Sequence, residues 1–169
     1  MAQSNASTRA AAKGVGMEVA FTRVFDAPRR LVFKVWTDPE HLAQWWGPHG
    51  FTNPRCELDA RTGGAIRIDM RGPDGRTYPM TGTYQEIVEP ERLVFTSVAL
   101  DKAGNPLFEV LNTVTFAEHG GKTTLTLQAR VVKATAMAPQ YLQGMEVGWT
   151  QSLERLDAYL AKAFRGEKS

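Results

Sequence analysis

The stretch "LFEVLNTVTFAEHGGKTTLTLQARVV", residues 107–132, decides how the rest of the chain is read. Phe108, Val110, Asn112, Val114 and Phe116 recur at every second position, and Leu125 and Leu127 alternate beyond Gly120-Gly121. A period of two puts those side chains on one face of a strand, and a diglycine supplies the turn between two such runs. The segment therefore predicts an antiparallel hairpin. Upstream the same period persists from about residue 54: Ile66, Ile68 and Met70 alternate with Arg67, Asp69 and Arg71. "GPDGR" and "DKAGNP" read as turns, and Glu89-Pro90-Glu91 joins two further strands. About six strands linked by short loops over residues 54–132 make an antiparallel meander.

The flanks are of different character. "MEVAFTRVF" (17–25) reads as a strand with Val19, Phe21, Arg23 and Phe25 on one side. Pro28 suits the first turn of a helix carrying Leu31, Val32, Val35 and Trp36. Asp38 then reads as the N-cap of a second short helix, with Pro39 in its first position, Leu42, Trp45 and Trp46 as its apolar side, and Gly47-Pro48 as its end. Near the C-terminus Leu142, Met145, Trp149, Leu153, Leu156 and Leu160 fall at intervals of three and four, which predicts one helix of about 25 residues. A sheet and one long amphipathic helix must bury their apolar faces on each other, so the class is α+β.

At 169 residues the chain suits one domain with a sizeable core, expected over 17–165. Residues 1–16, "MAQSNASTRAAAKGVG", are small and polar without a signal-type apolar run, and are expected to form a disordered tail. No stretch approaches the roughly 18 apolar residues of a membrane span. A net charge of +2 is too balanced to imply polyphosphate or anionic membrane as partner. The single cysteine, Cys56, permits no intrachain disulfide and fits a cytoplasmic protein.

The densest chemical cluster is "HLAQWWGPHG" (41–50), with two tryptophans between two histidines. His41, His49 and His119 have no metal-ligand spacing, and no metal or cofactor is expected; the histidines read as surface or helix-end residues. No nucleophile motif is present, and Cys56 has no histidine at readable spacing. Asp59 and Asp69 could face one another across strands, but such pairs are common on solvated sheet faces. "RTGGA" and "EHGGKT" lack the strand-to-helix context of a phosphate loop. Adjacent tryptophans on a helix diverge by about 100°, so Trp45 and Trp46 make a poor stacking platform for nucleic acid. The remaining readings are pocket wall and plain core. Trp45 and Trp46, with Ile68, Met70, Met80, Tyr84 and Phe95 on the sheet and Leu142, Met145, Trp149 and Leu153 on the long helix, either line a cavity or fill a solid interior. Tyr84 and Arg67 are candidate polar groups for orienting a ligand, although Arg67 has the opposite parity to Ile68.

"APRRLVFKVWTDPEHLAQWWGP", "RTGGAIRIDMRGPDG", "GTYQEIVEPERLVFT" and "GWTQSLERLDAYL" occur in this order and spacing. Together they resemble the bacterial relatives of the heat-shock protein 90 ATPase activator, in the START-like (SRPBCC) superfamily, over residues 17–163. The resemblance implies a helix-grip fold: a curved seven-stranded antiparallel sheet around a long C-terminal helix, with two short helices closing one end. It shifts the balance toward a cavity and a bound apolar or amphipathic small molecule, with no catalytic residue assigned. The alternatives it carries are a co-chaperone-like contact in the stress response and a cyclase-type enzyme. Neither nucleic acid nor membrane is an expected partner, and a monomer or homodimer is expected.

Overall fold

A computed structural model describes residues 15–135 and 144–163. Strand β1 (Glu18–Phe25) leads into helices α1 (Arg29–Thr37) and α2 (Pro39–Trp45). Strands β2 (Thr52–Leu58), β3 (Ala65–Arg71), β4 (Thr77–Val88), β5 (Arg92–Leu100), β6 (Pro106–His119) and β7 (Lys122–Ala134) follow, and helix α3 (Met145–Ala163) comes last. The strands form one antiparallel sheet in the order β1-β7-β6-β5-β4-β3-β2. The two short helices therefore carry the chain from one sheet edge to the other.

The hairpin that opens the sequence reading is β6–β7, in register from Phe108↔Ala134 to His119↔Lys122. Gly120 (φ +58°) and Gly121 (φ +81°) both take the left-handed conformation that a two-residue hairpin turn demands. Every second residue from Val110 to Phe116 and from Thr123 to Val131 is buried. The "RTGG" loop is tied to β4 by Gly63 N–H to Tyr84 O (2.8 Å) and Tyr84 N–H to Gly64 O (2.9 Å). Gly64 admits no side chain there, since a Cβ would stand 1.8 Å from the Asp59 carbonyl oxygen.

Pro28 precedes α1 rather than entering its first turn: it is the extended N-cap residue, and the helix runs from Arg29. Phe33 joins Val32, Val35 and Trp36 on the buried side, edge-on to Phe116 at 5.3 Å between centroids. Asp38 caps α2 by accepting from the Glu40 N–H at 2.9 Å, with Pro39 at the start of the helix. Val15 and Gly16, expected in the tail, lie in a turn whose Gly16 N–H donates to Val131 O at 2.8 Å. Helix α3 starts at Met145, after a turn at Gly144, and runs 19 residues against the roughly 25 expected; Leu142 lies outside the described residues.

Buried side chains gather in two clusters. The larger joins α1, α2, the inner faces of all strands but β2 and the Leu153, Leu156 and Leu160 stripe of α3. The smaller consists of Val110, Ala129 and Val131, with Phe108, Met145 and Trp149 packed against it. Trp149 touches both. No helix among the described residues is long and apolar enough to cross a membrane.

Candidate functional site

Everything at the exit of α2 is held from outside. Trp46 is the extended C-cap residue, and Gly47 (φ +96°) turns the chain where a Cβ would sit 3.0 Å from Met70 Sδ. The last carbonyls of a helix have no partner within it. Here side chains from β2 and α3 supply one. Asn53 Nδ2 donates to Ala43 O (3.0 Å) and Trp46 O (2.9 Å). Arg155 Nη1 donates to the carbonyls of Trp46 (3.0 Å), Gly47 (2.9 Å) and Pro48 (3.0 Å), and Nη2 to that of Gln44 (3.2 Å). Gly47 N–H donates to Ser152 Oγ at 3.1 Å, and His49 N–H to Gln151 Oε1 at 3.0 Å.

The flanking histidines, read as surface or helix-end residues, are at least partly exposed, and each also ties α2 or its exit to α3. His41 Nδ1 lies 2.6 Å from Tyr159 Oη, and His49 Nε2 lies 2.9 Å from Glu154 Oε1. Spacing within the chain could not disclose either link, because each partner is more than a hundred residues away on α3.

Above the clamp the two tryptophans separate. Trp45 is 0% exposed, packs edge-on to Trp36 at 4.7 Å, and donates its indole N–H to Val35 O at 3.0 Å. Trp46 turns to an internal cavity of about 10 Å³. Of the sequence candidates, Trp46, Ile68, Met80, Tyr84 and Phe95 meet there, joined by Trp36, Leu42, Leu58, Ile66 and Leu93. That volume holds one water at most. No described residue of α3 lines it. Leu153 is buried in the larger cluster, Met70 is half-buried against it, and Met145 packs on the smaller one. Trp149 reaches the cavity through its neighbours, stacked on Trp36 at 6.0 Å and edge-on to Trp46 at 5.3 Å.

The polar candidates part company as well. Arg67 pairs with Asp69 at 3.1 Å, and Asp59 with Arg61 at 2.9 Å, so each of the two carboxylates has its own cation. Tyr84 stays inside, where burial first and then the nearby Cys56 and Asp59 keep its phenol protonated well above the ordinary range. Burial, with Asp38 and Glu57 adding to it, pushes the half-buried Cys56 thiol up to about 11. Alkylation of Cys56 by iodoacetamide at about pH 8 is therefore expected to run roughly a hundredfold slower than that of a free thiol, in proportion to the thiolate present. A rate matching free cysteine would place this thiol outside the packed wall. Among the described residues no group of three or more His, Cys, Asp or Glu is placed to hold a metal.

Three buried side-chain atoms among the described residues are unsatisfied, and the sequence reading singled out none. Asn53 Oδ1 at the exit of α2, and Trp36 Nε1 and Asn112 Oδ1 deeper in the core, have no hydrogen-bond partner. Outside, an open groove of about 310 Å³ runs past Gln44, Phe51, Asn53 and Arg155. Arg155 already donates to four carbonyls there, so its charge serves the helix end rather than an anion.

A curved seven-stranded antiparallel sheet with a C-terminal helix against its inner face and two short helices at one end is a helix-grip fold of the START-like class. Residues 26–161 match the family described as Activator of Hsp90 ATPase homolog 1-like protein, and the chain belongs to that family. A crystal structure from Chromobacterium violaceum is 31% identical, covers 83% of this chain and 94% of its own, and has a TM-score of 0.72. A solution structure from Arthrobacter aurescens is 27% identical over 87% of each chain, with a TM-score of 0.77. The AHSA1 protein of Silicibacter pomeroyi is 26% identical, with 85% of this chain and 97% of that one covered and a TM-score of 0.74. No functionally curated protein matches the chain.

Proposed function

We propose that this protein binds an apolar or amphipathic small molecule between the sheet and its helices, without covalent chemistry. One observation carries the reading: aliphatic, aromatic and thioether side chains from α1, α2 with its C-cap and four strands converge on one internal space, and Trp36, on its wall, has an unpaired indole N–H. A buried donor without an acceptor costs on the order of 1–3 kcal/mol, a cost that a ligand oxygen removes. The remaining gain is burial of the ligand's apolar surface, about 25 cal/mol per Å² before losses. The space of about 10 Å³ must grow to admit a ligand. Met80 on the wall and the half-buried Trp149 behind it are the adaptable side chains, the first because a thioether repacks readily.

The test is a thermal-shift screen against fatty acids, sterols, flavonoids and aromatic acids, with tryptophan fluorescence followed in parallel. Saturable stabilisation with a fluorescence change is the expected result. Trp149→Ala is expected to weaken the fluorescence response while keeping the fold, since Trp36 and Trp46 remain on the wall, and an unchanged response would remove Trp149 from the site. The small volume of the internal space favours a second reading, a chaperone-type protein contact. Flat ligand curves, together with a changed ATPase rate of a heat-shock protein 90 type chaperone on adding this protein, would decide for it.

A further inference from the structure

We infer that Asn112 is the polar anchor of this ligand site, and that the ligand presents a hydrogen-bond donor, as an alcohol or a protonated acid does, on an apolar body. The inference rests on the ligand-binding reading above. Asn112 stands in the inward row of β6 between Val110 and Val114, and is 0% exposed. Its neighbours in register are Phe95 on β5 and Ala129 on β7. Phe95 belongs to the cavity wall and Ala129 to the smaller cluster. Asn112 thus marks the seam between the two apolar clusters, which Trp149 spans from the other side.

The amide is oriented by its nitrogen. Nδ2 donates to Ser97 Oγ at 3.0 Å and to Phe95 O at 3.3 Å, both on β5, which fixes the flip and turns Oδ1 away from that strand. Oδ1 is then a buried acceptor with no partner. Asn53 also leaves its Oδ1 unpaired, but that amide holds the exit of α2, whereas Asn112 stands within the apolar inner face of the sheet, where an orphaned acceptor loses its hydration without return. The amide lies one strand away, about 5 Å, from a wall residue of the cavity. Asn112 does not itself line the cavity; Phe95, its register neighbour on the wall, has its ring 6.4 Å by centroid from the Trp36 ring that carries the unpaired donor. A hydroxyl can serve either atom, whereas an ether oxygen can serve only the indole.

The experiment compares 1-octanol with its isomer 1-methoxyheptane by tryptophan fluorescence titration and calorimetry on the full chain. The pair match in formula and differ in one O–H. Wild type is expected to bind the alcohol about tenfold more tightly or better, as an added hydrogen bond to a buried acceptor implies. Asn112→Ala is expected to shrink that gap to about twofold or less. Ser97→Ala, which leaves Oδ1 in place, should keep the gap and controls for loosening of the strand. If Asn112→Ala fails to fold, the wild-type gap and Ser97→Ala decide. Equal binding of alcohol and ether would overturn the anchor while leaving the ligand reading intact. Binding of neither probe would overturn both.

Discussion

Replacing Trp45 by alanine is expected to cost about 3–5 kcal/mol of stability, the range for truncating a fully buried large aromatic. In a chain of this size that lowers the melting temperature by roughly 10 °C or more. Three losses combine. The side chain has no exposed surface, so its removal leaves a cavity between α1 and α2. Edge-to-face packing on Trp36 at 4.7 Å and the tilted contact with Trp46 at 5.9 Å are lost together. Finally, the carbonyl of Val35, near the end of α1, loses its indole donor. Trp45→Phe separates these terms, because it keeps a ring and removes the N–H; about 1–2 kcal/mol is expected from it. Urea unfolding followed by far-UV circular dichroism measures both. A Trp45→Ala midpoint within experimental error of wild type would mean that the two helices do not depend on this contact. Trp149→Ala, at a half-buried position, should fall well short of the Trp45→Ala loss.

Why one tryptophan is structure and its neighbour cavity wall could be read only in part from the sequence. The spacing from Leu42 turns Trp45 inward and leaves Trp46 on the flank, and the burial agrees. Periodicity likewise disclosed the strands, because a half-buried sheet writes its faces into alternate residues, as in Val110, Val114 and Phe116 against Leu125 and Leu127. It placed Asn112 on the inner face but said nothing of its orphaned oxygen, since pairing depends on Ser97 and Phe95 in a neighbouring strand. Leu153 and Met145 were legible as a helix stripe. That they sit behind the cavity wall or on a second cluster, rather than on the wall itself, is set by how α3 crosses the sheet. Arg155 carries no local signal. A basic residue on a polar helix face is ordinarily solvated, and only the tertiary fold brings the end of α2 beneath it.

Arg155→Ala is accordingly the substitution whose effect most exceeds what its sequence position suggests. About 2–4 kcal/mol is expected, because four carbonyls lose one charged donor at once and water can reach only part of the site. Burial lowers the guanidinium's affinity for its proton, and no carboxylate pairs with it among the described residues. Its partners are therefore dipoles, which gives the prediction its distinguishing mark. Salt screens charge–charge attraction at the surface, as between Arg55 and Glu57, but does little to a hydrogen-bonded cation held against carbonyls. The stability gap between wild type and Arg155→Ala should persist in about 0.5 M NaCl, where exposed pairs are largely screened. Arg155→Lys should recover less than half of the loss, since an ammonium cannot spread its donors over Gln44, Trp46, Gly47 and Pro48 as a planar fork does. Amide exchange at Gly47 and His49, whose N–H groups are bonded to Ser152 and Gln151, should quicken in the same variants. A gap that vanished with salt would mean that Arg155 acts as a surface charge. A gap that persists makes it the residue that fixes Trp46 against the cavity, so ligand-induced fluorescence should weaken in step with the lost stability.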